Sequence, residues 1–292
     1  EGVLQIVHGD KTAVDALLHN DDIKAVSFVG SSNIAHYIAQ TCAREGKRFQ
    51  AMGGAKNHGI IMPDADMDQV VNDFLGAAFG SAGERCMALP VAVPVGKDTA
   101  DEFVGRIKEE AAKLRVGVST DADAHYGPVV SSTHRASIEK WIQTGVDEGA
   151  DLLLDGRGFE LQGHEKGFFI GPSLFDNVKP SMSSYQEEIF GPVLTVTTFG
   201  DAEEALKIAN DCQYGLAASI WTKDIDKALT LMRGVHAGRT WVNTTIAGGP
   251  GQPMGGFKQS GIGREGGMLG IEEYTEVKSA HIAIGQRTNW IA

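Results

Sequence analysis

The sequence predicts an α/β fold, and three observations carry that prediction. Short apolar runs alternate with amphipathic helices through residues 1–50, the alternation returns between residues 202 and 242, and 42% hydrophobic residues over 292 positions suffice for a packed core. In order, residues 3–7 read as a short strand, 12–18 as a helix and 23–29 as a second strand. Ile34, Tyr37, Ile38 and Thr41 then mark the buried stripe of another helix. Met67, Val70, Val71, Phe74, Leu75 and Ala78 recur at helical spacing; Gly80 and Gly83 break that helix, and 89–95 is extended. Pro90 and Pro94 flank the apolar run 91–93, where a central strand needs its N–H groups, so a short edge or distorted strand is expected. Residues 101–114 form an amphipathic helix, Gly127-Pro-Val-Val turns into an extended piece, and 132–149 is a helix beginning at a Ser cap and stopping at Gly. A strand over 152–154 leads into the loop Asp155-Gly-Arg-Gly, in which nothing partners the nearby His164. A helix (202–210), a strand (214–221), a helix (224–233) and a strand from Gly238 complete the alternation.

Lys and Arg total 26 against 38 Asp and Glu, a net charge of −12 with the acidic residues scattered. That balance argues against a nucleic-acid surface and a polybasic membrane patch, and no apolar run approaches the ~20 residues that span a bilayer. Three cysteines, Cys42, Cys86 and Cys212, are odd in number and far apart, which predicts a reducing compartment and no disulfide framework. The opening Glu1-Gly-Val-Leu has neither an initiator Met nor a basic-then-apolar leader. No internal repeat, low-complexity segment or metal-ligating constellation is evident.

The chemistry centres on Phe79-Gly-Ser-Ala-Gly-Glu-Arg-Cys-Met-Ala-Leu89. Cys86 sits at an abrupt change of direction on a Gly-rich backbone, with Arg85 beside it to favour the thiolate. By residue chemistry alone Cys86 is either a nucleophile or a small buried hydrophobe. Gly30-Ser-Ser32, between a strand and a helix, offers free N–H groups to a phosphate or is an ordinary N-cap. The Gly-rich run 248–265 lacks the Gly-Lys-Ser/Thr ending of a P-loop.

Gly-Glu-Arg-Cys86 resembles the nucleophile motif of the aldehyde dehydrogenase superfamily, and further stretches match it in order. Phe28-Val-Gly-Ser-Ser resembles its Phe-Thr-Gly-Ser-Thr segment at the NAD pyrophosphate, which implies cofactor contacts for Gly30 and Ser31. Glu187-Glu-Ile-Phe-Gly-Pro resembles the segment whose second Glu holds the nicotinamide ribose and whose Phe borders the nicotinamide, roles that pass to Glu188 and Phe190. Gly238-Arg-Thr-Trp-Val-Asn243 resembles the strand entering the substrate pocket, implicating Asn243, and Arg85 is a candidate partner for a substrate carboxylate.

The family's water-activating Glu falls on Met52 or Ala51, neither of which takes a proton. That absence, with the Ala-Lys-Asn-His and Gly-x-Arg-Cys-Met-Ala spellings, resembles the CoA-acylating methylmalonate-semialdehyde branch. Glu265 is the alternative carboxylate, and the tail from Lys258 to Glu265 resembles hydrolytic members instead, as in a mosaic.

The resemblance implies an aldehyde-dehydrogenase-like α/β architecture. Residues 1–51 would close a Rossmann-type NAD-binding domain, 52–256 form an α/β catalytic domain, 257–277 return to the cofactor domain and 278–292 supply an oligomerisation strand. The implied activity is NAD-dependent oxidation of an aldehyde, methylmalonate or malonate semialdehyde, through a Cys86 thioester passed to coenzyme A. The implied protein is a homodimer or homotetramer of the cytoplasm or mitochondrial matrix. The alternatives are hydrolytic NAD(P)-dependent oxidation and a non-catalytic fragment. Only about three-fifths of a family member is matched, and the upstream oxyanion Asn is not among these residues, so the stretch by itself is expected to be inactive.

Overall fold

The computed structural model describes residues 2–285. In chain order its elements are α1 (Lys11–His19), β1 (Ala25–Val29), α2 (Ser32–Arg44), β2 (Arg48–Met52), β3 (His58–Ile61), α3 (Met67–Phe74), β4 (Val91–Pro94), α4 (Lys97–Ala111), α5 (Ser132–Asp147) and β5 (Asp151–Leu154). They continue as β6 (Ser173–Asp176), α6 (Ser183–Gln186), β7 (Val193–Val196), α7 (Ala202–Asp211), β8 (Tyr214–Gly215) and β9 (Ala217–Trp221). The last are α8 (Ile225–Gly234), β10 (Arg239–Val242), β11 (Phe257–Lys258), β12 (Gly261–Ile262) and α9 (Gly267–Glu272).

Seven strands form the main sheet in the order β10-β9-β3-β4-β7-β6-β5. Its pairs are parallel except β5 with β6. The central strands β3, β4, β7 and β9 are buried throughout, as expected of parallel strands covered on both faces. Helix α3 shows how a helix docks on this sheet. Asp66 caps it by accepting from Gln69 N, and Val70, Val71 and Phe74 turn inward. Phe74 lies 5.0 Å from Phe103 of α4 and 5.1 Å from Trp221 of β9, ring centre to ring centre.

A smaller sheet pairs β1 with β2 in parallel and β2 with β12 antiparallel. Leu18, Ala35, Ile38, Cys42 and Ala51 form its own core. The chain returns to it late: β11 pairs with β8, β12 with β2, and Arg48 donates to the carbonyls of Glu272 and Glu273.

Two expectations are corrected. The run after Pro90 is short, as one of the expected alternatives had it, but it is the central strand β4 and not an edge strand. The two prolines stand at its ends, where their carbonyls still accept from Thr195 N and Phe199 N, so only the missing donors are lost. Residues 3–7 form no strand; Val3, Leu4, Ile6 and Val7 are exposed and pair with no sheet edge among the described residues. Residues 278–285, the described part of the oligomerisation strand expected over 278–292, are exposed and irregular, and that expectation concerns pairing with a partner subunit. Residues 286–292 lie outside the described residues. Among the described residues no helix is long and apolar enough to cross a membrane.

Candidate active site

Helix α3 does not stop at Phe74. It widens into a π-turn over Leu75–Phe79 and tightens into a single turn over Gly80–Gly83. Ser81, Ala82 and Gly83 then take φ of 53°, 55° and 69°, three successive left-handed residues that reverse the chain. Left-handed non-glycine residues carry strain, and such strain gathers where geometry is functional. Leu89 N donates back to Ala77 O (3.1 Å), closing the reversal before β4. Cys86 lies on this closed turn, half-buried, packed with Met87 against Ala55, Leu216, Ala217 and Trp241.

Two other loops meet the turn. Asn57, just ahead of β3, donates through Nδ2 to Cys86 O (2.9 Å) and Ala88 O (2.7 Å). Gly83 faces the loop after α6 so closely that a Cβ there would stand 2.1 Å from Gly191 O. On that loop Phe190 has φ 55°, and its carbonyl accepts from His134 Nε2 (2.7 Å). The cleft that results is lined by Ala55, Asn57, Arg85, Cys86, Glu188 and Phe190. A larger cavity of about 450 Å³ is lined by Asn72, Gly76, Lys113, His125 and Tyr126. In it Lys113 is paired with Glu110 and His125 accepts from Arg115 N; the cleft that holds Cys86 is the candidate site.

Glu188 is a half-buried carboxylate. Its Oε1 accepts from Ala55 N (2.9 Å), and its Oε2 lies where a Cβ on Gly54 would come within 2.5 Å. Burial raises its pKa, with Ala55 N–H, Lys56 and His134 opposing. The expectation that Arg85 lowers the Cys86 pKa is corrected. Burial raises the thiol, its own N–H and that of Met87 oppose, and the charges of Glu188 and Glu265 raise it further. Arg85 instead donates to Gly76 O (3.3 Å) at the π-turn while lining the cleft.

Asn243 is bonded to Thr222. Its Oδ1 accepts from Thr222 N and its Nδ2 donates to Thr222 O, both at 2.9 Å, just past the carboxyl ends of β9 and β10. Ala217, at the opposite end of β9, is the residue that bonds Asn57. The Asn243 amide thus spends one donor hydrogen and its oxygen on the Thr222 backbone. Glu265 exchanges backbone hydrogen bonds with Met254 (2.7 Å each way), and its charge reaches Cys86. Gly30 and Ser31 lead into α2; Ser31 caps the helix by its backbone conformation without a side-chain bond. The next residue, Ser32, accepts from Gly54 N and donates to Gln259 O, both at 3.0 Å, tying this helix start to the glycine against Glu188.

At the end of β2, Ala51 and Met52 are buried and supply no carboxylate. Among the described residues no group of three or more His, Cys, Asp or Glu is arranged to hold a metal ion. Asn57, His134 and the Gly83–Gly191 contact were not found by sequence reasoning. The only available signal was a polar Asn at the mouth of a strand otherwise spelled as core.

The sequence model described as aldehyde dehydrogenase family matches residues 1–280. The malonate-semialdehyde dehydrogenase of Pseudomonas aeruginosa is 44% identical over 282 residues, covering 96% of this chain and 57% of the relative. The acylating, mitochondrial methylmalonate-semialdehyde/malonate-semialdehyde dehydrogenase of Bos taurus is 42% identical, covering 96% and 52%. A Sinorhizobium meliloti protein assigned as a methylmalonate-semialdehyde dehydrogenase, solved in complex with NAD, superposes with a TM-score of 0.90 at 47% identity, covering 92% of this chain and 55% of that one. The chain thus spans a little over half the length of the relatives it matches. With the matched region running through Cys86, Glu188, Phe190 and Glu265, the chain belongs to the aldehyde dehydrogenase family.

Proposed function

We propose that the full-length protein oxidises malonate or methylmalonate semialdehyde with NAD and passes the acyl group from Cys86 to coenzyme A. The observation that carries this reading is the pairing of Cys86, Glu188 and Phe190 in one cleft with a β2 terminus, Ala51-Met52, that holds no base for water.

The residues fit a nicotinamide dinucleotide. Glu188 keeps Oε2 without a hydrogen-bond partner among the described residues, in reach of a ribose hydroxyl, beside a Gly54 that leaves no side chain in the way. The first-turn N–H groups after Gly30-Ser31 suit a phosphate. Bound there, a nicotinamide would supply the hydride acceptor for the carbon to which the Cys86 sulfur has added.

The Cys86 thiol gives up its proton, with Glu265 the carboxylate proposed to receive it, and sulfur forms a bond to the aldehyde carbon. The N–H groups of Cys86 and Met87 flank the sulfur and receive the carbonyl oxygen's charge. After oxidation a thioester remains on Cys86. A coenzyme A thiolate then attacks that carbonyl, the carbon–Cys86 bond breaks, and the free thiolate is restored. A thiolate needs no general base at Met52, whereas water does. Arg85, lining the cleft, is the proposed partner of the substrate carboxylate.

A hydrolytic reading rests on one observation, the reach of the Glu265 charge to Cys86. Steady-state NADH formation by the full-length protein with malonate semialdehyde, with and without coenzyme A, decides between them. Turnover that requires coenzyme A supports the acyl-transfer reading. Equal turnover without it, lost in Glu265→Gln, establishes the hydrolytic one.

A further inference from the structure

Three consecutive residues ahead of β3 touch both halves of the cleft. Ala55 N donates to Glu188 Oε1 (2.9 Å). Lys56 is fully buried, and its Nζ donates to Ser184 O (2.8 Å) and Glu187 O (2.7 Å), the backbone that carries Glu188. Asn57 faces the other way: Nδ2 binds the carbonyls of Cys86 and Ala88, and Oδ1 accepts from Ala217 N (2.9 Å) at the start of β9. The Asn57 amide therefore uses both donor hydrogens and an acceptor inside the protein, joining the Cys86 turn to the rigid mouth of the main sheet.

We propose that Asn57 and Lys56 are positioning residues with separate tasks: Asn57 holds the Cys86 turn, and Lys56 holds the Glu188 loop, from one shared strand start. The proposal rests on the reading of Cys86 as nucleophile and Glu188 as ribose ligand. Neither side chain is assigned contact with substrate. Each acts through backbone carbonyls, and the stiffness of β3, hydrogen-bonded on both sides to β4 and β9, fixes the distance between the two loops. A nucleophile displaced by ~1 Å can lose on the order of a hundredfold in rate, which sets the size of effect expected from releasing the turn.

The test compares Asn57→Asp, Asn57→Ser and Lys56→Met in the full-length protein. Asn57→Asp keeps the shape and the acceptor for Ala217 N but sets a carboxylate oxygen against two carbonyls. Asn57→Ser removes the amide. The readouts are kcat, the rate of iodoacetamide labelling of Cys86 without cofactor, the Kd for NAD by fluorescence titration, and cooperative unfolding in urea. Both Asn57 variants should lower kcat about a hundredfold and change Cys86 labelling several-fold while leaving the Kd for NAD within about twofold. Lys56→Met should raise that Kd at least severalfold and leave labelling unchanged. The proposal is overturned if either residue moves both readouts together, if the Asn57 variants leave labelling unchanged, or if neither Asn57 variant unfolds cooperatively. Wild-type protein that labels at Cys86 and binds NAD yet forms no NADH refutes the proposed function, and labelling and NAD affinity then decide the positioning roles by themselves.

Discussion

Replacing Gly83 with alanine puts a methyl group where the Cys86 turn and the Phe190 loop touch. The new Cβ would lie 2.1 Å from Gly191 O, 2.4 Å from Gly191 C and 2.9 Å from Pro192 N, all backbone atoms that no rotamer change can move aside. At φ 69° the alanine also carries the left-handed penalty of about 1–2 kcal/mol. Forcing the two backbones apart by roughly 1 Å adds an overpacking cost of about 1–3 kcal/mol. Loss of unfolded-state freedom returns about 0.4–1 kcal/mol. The expected net destabilisation is about 3 kcal/mol, read from urea unfolding of the two proteins in parallel. Gly105→Ala is the control: it sits on α4 with nothing within 4 Å of an added Cβ, and should stabilise by about 0.5–1 kcal/mol. Because Gly191 follows Phe190 directly, Gly83→Ala should also raise the KM for NAD. A Gly83→Ala protein within about 0.5 kcal/mol of wild type, with unchanged KM, would refute the claim that this contact sets the two loops in place.

Two further predictions concern titration. Burial and the carboxylates of Glu188 and Glu265 hold the Cys86 thiol above its ordinary pKa, so in cofactor-free protein the iodoacetamide labelling rate should still be climbing at pH 9. Glu188→Gln should move that profile to lower pH; an unchanged profile would show that its charge does not reach the sulfur. His58, buried at the start of β3 against Tyr185, has its pKa lowered to about 3, chiefly by burial. Between pH 6.5 and 3 the unfolded chain binds a proton that the folded one does not, so stability falls with acidification by about 1.4 kcal/mol per pH unit from this group. The pH slope of urea stability between 6.5 and 5 should be shallower in His58→Gln by about that amount, and equal slopes would contradict it.

What was legible in the sequence was local. Helical spacing marked the α3 stripe of Val70, Val71 and Phe74, and the serine before position 132 announced a cap that Ser131 makes by accepting from His134 N. The change of direction around Cys86 could be read from Gly80 and Gly83, although the intervening π-turn could not. Readings failed where the answer lay with a distant partner. Pro90 and Pro94 suggested an edge because the sequence does not show that their carbonyls alone are needed in the ladder. Residues 3–7 look like a strand but find no edge to join among the described residues. Asn243 follows a correctly read strand, and its bonds to Thr222, beyond the neighbouring strand, were not visible in the sequence. Arg85 looked like the thiolate's partner by adjacency, whereas the charges that act on Cys86 come from Glu188 and Glu265, both over a hundred residues onward. Glu188 and Phe190 were proposed from a motif and not from the chemistry of the residues alone.

The central claim is a thioester on Cys86 that waits for a thiol. The direct measurement is intact-mass and peptide mass spectrometry of full-length protein mixed with NAD and malonate semialdehyde, quenched in acid before and after coenzyme A is added. The account predicts an acyl adduct on the Cys86 peptide that persists without coenzyme A and disappears on its addition, with acyl-CoA formed in equal amount. An adduct that clears equally fast in water, or none on Cys86 while NADH accumulates, would contradict it.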